Sequence, residues 1–415
     1  MNKIKTILLI IVFFVSLSQS DASTYIAGID EAIDIAMKNS GELRAAEARF
    51  GVTEAQIFTA NTPMNPVFIF DGGTGERTYR VGLQYILETG GKRKKRTLLA
   101  RVQHEVTKDE INTKILDIKR NVRNCYIEVY AAQQREKYAK EMIEFADTLK
   151  KIEYKDPKTQ VAVDDLQIET VIMNAEISMH TAHADVSPCR NKFNALMNYT
   201  LGHEFELGEP TLNTNLENLS SLTFEEHDLN LERLEKIAYE NRPELKYYAD
   251  SIEAAKRQLD VAKANLIPNV LLAAGPDFVQ NNPPAWNSGG FLMAAIEIPI
   301  FDRQQGPIKE AIAAQNLSTS EYSWQKDQIQ NDVKDAYTRV TALTQLIDRY
   351  NESLLARAQG LVDKALNDYN AGKSTIIVPL TAKETQINVQ YSYIKALADY
   401  QSAVSDLERA IGTPL

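Results

Sequence analysis

The sequence predicts a mainly α protein with a small β part: long coiled-coil helices, four short strands and an internal duplication. Three observations carry this. Apolar residues recur at steps averaging about 3.5 residues along very long segments. Two short stretches alternate apolar and polar residues with period two instead. Residues of the first half also recur in order in the second. Composition alone fits a water-soluble globular chain: 415 residues, 44% hydrophobic, 25% charged, mean hydropathy −0.31. The net charge of −10 excludes the basic face of a nucleic-acid binder, so no nucleic-acid partner is expected.

The elements follow in order. Lys3 and Lys5 precede the apolar run Ile7 to Val15, and small polar residues continue to Ser23. This is the layout of a secretory signal peptide over residues 1–22, cleaved after Ser20 or Ala22. The run is too short for a bilayer-spanning helix. A helix is predicted from Ile29 to Asn61, then a β-hairpin over 66–88. A very long helix runs from Lys92 to Glu153, and a return helix from Val163 to Tyr199. Residues 202–228 form a polar linker. The second half has a helix from Leu231 to Asn265 and a β-hairpin over 268–301. Helices from Gly306 to Tyr369 and Ile376 to Ile411 complete it.

The repeat, with units at 23–201 and 229–415, rests on identities. Ile35, Ala36, Asn39, Glu42, Leu43 and Pro66 recur at one offset as Ile237, Ala238, Asn241, Glu244, Leu245 and Pro268. Tyr154, Lys158, Val163, Glu169 and Thr170 recur as Tyr369, Lys373, Val378, Glu384 and Thr385 at a slightly larger one. A unit of about 200 residues is far longer than a solenoid repeat and reads as a duplicated domain.

In the long helices, Ile111, Ile115, Ile118, Val122, Cys125, Val129 and Ala132 alternate steps of four and three. Tyr400, Val404, Leu407 and Ile411 do the same. Cys125 therefore reads as a small buried hydrophobe, and with Cys189 it makes no disulfide framework. A helix of some sixty residues would be about 90 Å long.

In the first hairpin, Tyr79, Val81, Leu83, Tyr85 and Leu87 share a face opposite Arg80, Gly82 and Gln84. Val67 to Phe70 precedes them across a Gly-rich turn. In the second, strands are predicted over Asn269 to Gly275 and Phe291 to Ile300, around a polar loop from Asp277 to Gly289. These lengths approach the roughly 9–11 residues of a tilted membrane strand. Four strands cannot close a barrel, and an open sheet edge cannot face lipid. Several chains must then contribute, and three would supply twelve strands around a lumen.

Helix, hairpin, long helix and return helix, twice over, resembles the TolC-type outer membrane efflux proteins across the whole mature chain. Glu88-Thr89-Gly90-Gly91-Lys92-Arg93 resembles the E-x-GGKR element of the CzcC-like, heavy-metal-efflux branch. Ile298 to Gly306 resembles the IPLFDR-x-x-G counterpart, and Tyr369-Asn370-Ala371-Gly372-Lys373-Ser374 the Y-x-x-G-x-S helix turn. The resemblance implies a homotrimer with a long coiled-coil α-barrel and a 12-stranded β-barrel in outer membrane lipid. It further implies a periplasmic adaptor protein and an inner-membrane efflux pump of RND type as partners. It implies passive conduction, with no active site and no cofactor.

Within that frame, Glu88, Gly90, Gly91, Lys92 and Arg93 form a strand-to-helix interface motif. The glycines allow a sharp bend, and the basic run Lys92 to Arg96 suits an interfacial girdle. Asp164 and Asp165, just after the first turn, are gate candidates: three copies around a narrow lumen would concentrate cations. Asp156, Lys158, Gly372, Lys373 and Ser374 are the adaptor-contact turns. His180 and His183, three apart on a helix with Cys189 nearby, are weak metal candidates, because Pro188 should kink that helix. Two rival readings remain: drug or type I polypeptide export by the same fold, and a soluble periplasmic coiled-coil structural or adaptor protein.

Overall fold

The computed structural model describes residues 24–26, 28–72, 78–153, 161–198, 205–207, 231–281 and 285–415. The signal segment and residues 154–160 lie outside them, as does all of the 202–228 linker except 205–207. The chain divides into two compact units. One comprises Met1–Gly41, Ile115–Asn241 and Gln330–Leu415; the other comprises Glu42–Lys114 and Arg242–Ile329.

The elements are β1 (Thr24–Ile26), α1 (Ile29–Asn39), α2 (Gly41–Asn61), β2 (Val67–Asp71), β3 (Thr78–Leu87) and α3 (Lys92–Glu153). Then come α4 (Val161–Leu196), β4 (Phe205–Leu207), α5 (Leu231–Asn241), α6 (Pro243–Asn265), β5 (Val270–Asn281) and β6 (Ala285–Ile296). Last are α7 (Gln305–Arg349), a π-helical turn (Tyr350–Leu354), α8 (Leu355–Asn370) and α9 (Ile377–Ile411). The expected long helix Lys92 to Glu153 is present at those bounds.

Three helices expected to be continuous are interrupted. Ser40 leaves helical geometry at ψ 118° and divides α1 from α2. Arg242 does so at ψ 119° and divides α5 from α6. There the cause is Pro243, which pushes the preceding residue out of the helical region and itself suits a first helical position. The third interruption is the π-helical turn, a wider turn inserted between α7 and α8. Conversely, Pro188 does not end α4, which runs on to Leu196.

The helical unit is held by a core drawn from α3, α4 and α9. Met142, Ala146, Leu149, Ile168, Leu380 and Ile387 pack together, with Tyr138, Leu366 and Tyr391 against them. Ile118, Val122, Cys125, Val129 and Ala132 are all buried, as the four-three spacing predicts. Tyr126, Ile127 and Ala131 are buried too, so α3 covers more than one seam there. Ion pairs join α3 to α9: Arg120 to Asp406 at 2.5 Å, Arg409 to Asp117 at 2.6 Å, and Arg123 to Glu408. Arg339 of α7 reaches the same Asp406 at 3.2 Å. A small parallel pair, β1 with β4, also belongs to this unit.

The other unit contains a four-stranded antiparallel sheet in the order β2-β3-β5-β6. The second hairpin differs from expectation. Its strands reach Asn281 and restart at Ala285, because Asp277, Phe278 and Val279 pair with Gly289, Ser288 and Asn287. Backbone pairing tolerates polar side chains where a sheet face is wet. Beyond Ile296 the strand ends early: Pro299 lacks a donor, and Ile300 N–H turns back to Ile298 O at 2.9 Å.

Candidate functional site

Strand register sorts the sheet into two chemically distinct faces. Phe68 pairs with Leu83, Leu83 with Ala274, and Ala274 with Leu292, forming one row across all four strands. Leu87, Val270 and Ile296 form a second row on the same face, and Tyr85, Leu272 and Ala294 a third. Most of these residues are exposed, Phe68 to 67%, Leu83 to 60% and Leu292 to 84%, while Val270 is half-buried. The opposite face is mixed: Asp71, Arg80, Gln84 and Asp277 lie among Val67, Ile69, Ile86, Leu271 and Met293, and Arg80 and Asp71 pair at 3.5 Å. On that face Phe291 crosses over Gly82, where an added Cβ would lie 2.8 Å from its ring. Strands β2 and β6 each pair on one side only.

All four strands meet their helices at one end of this sheet, and both hairpin connections lie at the other. At the helix end, Gly90 and Gly91 adopt φ of 64° and 68°, a left-handed conformation that glycine permits. Gly90 is also crowded, since an added Cβ would lie 3.0 Å from Ile267 Cδ1 and 3.2 Å from Ala264 O. The remaining motif residues clamp the bend. Arg96 donates to Glu88 at 2.8 Å and to Ala60 O at 3.1 Å. Thr89 donates to Pro268 O, and Lys92 to Asn269 Oδ1 at 2.5 Å. Arg93 is exposed.

Of the expected turn residues, Asp156 and Lys158 lie outside the described residues. Gly372 ends α8 at φ 71°; its N–H reaches Tyr369 O, and Lys373 N–H reaches Asp368 O, both at 2.9 Å. This paired closure is the Schellman form of a helix end and leaves Gly372 and Lys373 exposed. Ser374 is half-buried. Asp164 and Asp165 fall on the first turn of α4, but their side chains lie outside the description.

His180 is exposed on α4, while the side chain of His183 lies outside the description. Among the described residues, no three His, Cys, Asp or Glu side chains converge on a point a metal could occupy. Cys189 packs on Val129 and Ala132 and donates its thiol proton to Glu128. Burial first, then this hydrogen bond, pushes its pKa up to about 12. Burial pushes Cys125 up to about 11. Both cysteines are free.

Sequence reasoning missed a polar cluster between α3 and α6. Asp109 is buried, accepts from Lys246 Nζ at 3.0 Å and neighbours Asp250. No pattern in the sequence singled Asp109 out, since Glu105 and Glu110 stand beside it on the same helix.

Comparison with known proteins finds likenesses in sequence and in fold. Residues 234–413 match the model described as outer membrane efflux protein. The chain is 22% identical over 393 residues to the cobalt-zinc-cadmium resistance protein CzcC of Cupriavidus metallidurans, covering 92% of this chain and 90% of that protein. Among solved structures it is similar to CusC, with a TM-score of 0.73 at 19% identity over 96% of each chain. It is also similar to the outer membrane channel MtrE of Neisseria gonorrhoeae, solved in its open state. That match has a TM-score of 0.74 at 17% identity, covering 93% of this chain and 89% of the other.

Proposed function

We propose, from the match of residues 234–413 to the outer membrane efflux protein model and from the sheet, that this chain is one third of a trimeric outer membrane efflux channel. The observation that carries the reading is the two-faced sheet with unpaired edges at β2 and β6. An apolar face this exposed needs a non-aqueous solvent, and unpaired edges cannot lie in lipid. Pairing β6 of one copy with β2 of the next satisfies both demands, and three copies close a twelve-stranded barrel. The face bearing Arg80, Asp71 and Asp277 then lines the aqueous lumen. The helices form the periplasmic portion.

The cargo reading is heavy-metal cations. Its support is the likeness to CzcC along nearly the whole chain and the GGKR element. Conduction is passive, so this chain performs no chemistry. A periplasmic adaptor docks at the turns that include Gly372, Lys373 and Ser374, and an inner-membrane pump supplies the energy. Asp164 and Asp165 ring the narrow end, where three copies attract cations. The two halves descend from one duplicated unit. Deleting the gene from its host and measuring cobalt, zinc and cadmium tolerance tests the cargo: tolerance should fall for these ions and return with the intact gene. Unchanged metal tolerance with heightened drug sensitivity would replace this cargo with the drug-export reading.

A further inference from the structure

Helix α3 opens on five consecutive cations, Lys92 to Arg96, and its first turn carries no carboxylate. Two of the five are engaged from within the fold, Lys92 by Asn269 and Arg96 by Glu88 and Ala60. Arg93 and Lys94 are exposed and Lys95 is half-buried. No ion pair joins these three to any described residue. Positive charge at a helix N-terminus is electrostatically unfavourable, so three uncompensated cations there are a cost to the isolated chain.

The surface at this end of the sheet is largely apolar, interrupted by Glu297, whose charge acts on Lys92, and by Asp302 and Arg303. Ile267 lies against the Gly90 bend, and it and Leu87 are each 47% exposed. Ile298, Ile300 and Phe301, which follow the last strand at the same end, are more exposed still. Exposed apolar side chains bordered by unpaired cations match the boundary of a lipid leaflet: the chains meet acyl groups and the cations meet phosphates. A free phosphate ion would gain nothing from the apolar border.

We propose that Arg93, Lys94 and Lys95 form a binding site for the phosphate groups of anionic glycerophospholipids in the leaflet nearest the helices. This rests on the membrane reading of the sheet. The site fixes the depth of the barrel in the bilayer and supplies the counter-charge that the start of α3 lacks. Arg93 offers a planar fork suited to two phosphate oxygens, and the lysines act as point charges beside it.

The full-length chain, reconstituted with spin-labelled phosphatidylglycerol or phosphatidylcholine, provides the test. Wild type should hold phosphatidylglycerol at its surface at least about threefold more strongly than phosphatidylcholine at low salt. The variant Arg93→Gln, Lys94→Gln, Lys95→Gln should lose that preference, while Arg101→Gln, farther along α3, keeps it. If the triple variant fails to assemble, Lys94→Gln alone should lower the preference. Equal preference in wild type and variant overturns the site. So does loss of preference on adding inorganic phosphate at matched ionic strength, which would mean a free anion occupies it. Variant trimers that dissociate with lipid preference unchanged would show that the cations meet carboxylates of a neighbouring copy, and would also overturn it. A wild-type chain that immobilises neither lipid would refute the membrane reading itself; one that immobilises both equally refutes only this site.

Discussion

Lys246 Nζ donates to Asp109 Oδ1 at 3.0 Å, binding α6 to α3 through a carboxylate that is only 1% exposed. The other Asp109 oxygen has no donor of its own. Asp250 stands beside it, and its pKa is raised, first by burial and then by the neighbouring Asp109 carboxyl. A proton held on Asp250 relieves the repulsion between the two neighbouring carboxyl groups. The folded state therefore favours a proton on Asp250.

A pH dependence with a definite sign results. The folded state binds the Asp250 proton more tightly than the unfolded chain does, so its contribution to stability is present in acid. It is lost as pH rises from about 4 through the raised value. Thermal unfolding followed by helical circular dichroism should show wild type weakening across that window, with Asp250→Asn flattening the dependence. Lys246→Met should cost about 1–3 kcal/mol by leaving Asp109 without its cation.

The strand-to-helix bend discriminates between two adjacent glycines. Both adopt positive φ, so alanine at either costs about 1–2 kcal/mol of backbone strain. Only Gly90 is also crowded, by Ile267 and by the Ala264 carbonyl; nothing lies within 4 Å of a Cβ on Gly91. Gly90→Ala should therefore lower the melting temperature and the yield of assembled protein more than Gly91→Ala. Equal losses would mean that φ alone matters there.

Both cysteines should be inert in the folded protein. Thiolates are the reactive form, and burial with the Glu128 contact holds Cys125 and Cys189 protonated near neutral pH. A maleimide reagent at pH 7 should label neither at an appreciable rate until denaturant is added, and then both. Rapid native labelling of Cys189 would show that its bond to Glu128 is not kept in solution.

The proposed gate makes its own prediction: Asp164→Ala with Asp165→Ala should raise single-channel conductance or weaken block by divalent cations, because a trimer would lose three copies of each carboxylate. Conductance and block like those of wild type would take these residues out of the gate.

The sequence made the long elements legible and the short interruptions obscure. Along α3, apolar spacing persists for so many turns that Lys92 and Glu153 could be read as its ends. In β3, alternation from Tyr79 to Leu87, broken only at Ile86, marked both the strand and its apolar face. The break at Ser40 left no apolar gap, because Ala36 and Leu43 are buried on either side of it. The break at Arg242 had a signal in Pro243, outweighed by helical spacing on both sides. The second hairpin was underestimated because Asp277, Asn287 and Ser288 read as loop residues; Asp277 and Asn287 sit on the face that carries Arg80, and Ser288 on the opposite face beside Phe278. The β1–β4 pair is three residues long, too short for any period to register. The Asp109, Lys246 and Asp250 cluster joins residues more than a hundred positions apart, a closeness that single-sequence pattern cannot reveal.

Barrel closure between copies is the central claim, and planar-bilayer recording tests it most directly. Full-length protein extracted from membranes in detergent as a trimer should insert and give discrete, long-lived conductance steps. A chain that leaves the cell fraction in buffer alone, as a monomer that never conducts, would contradict the account.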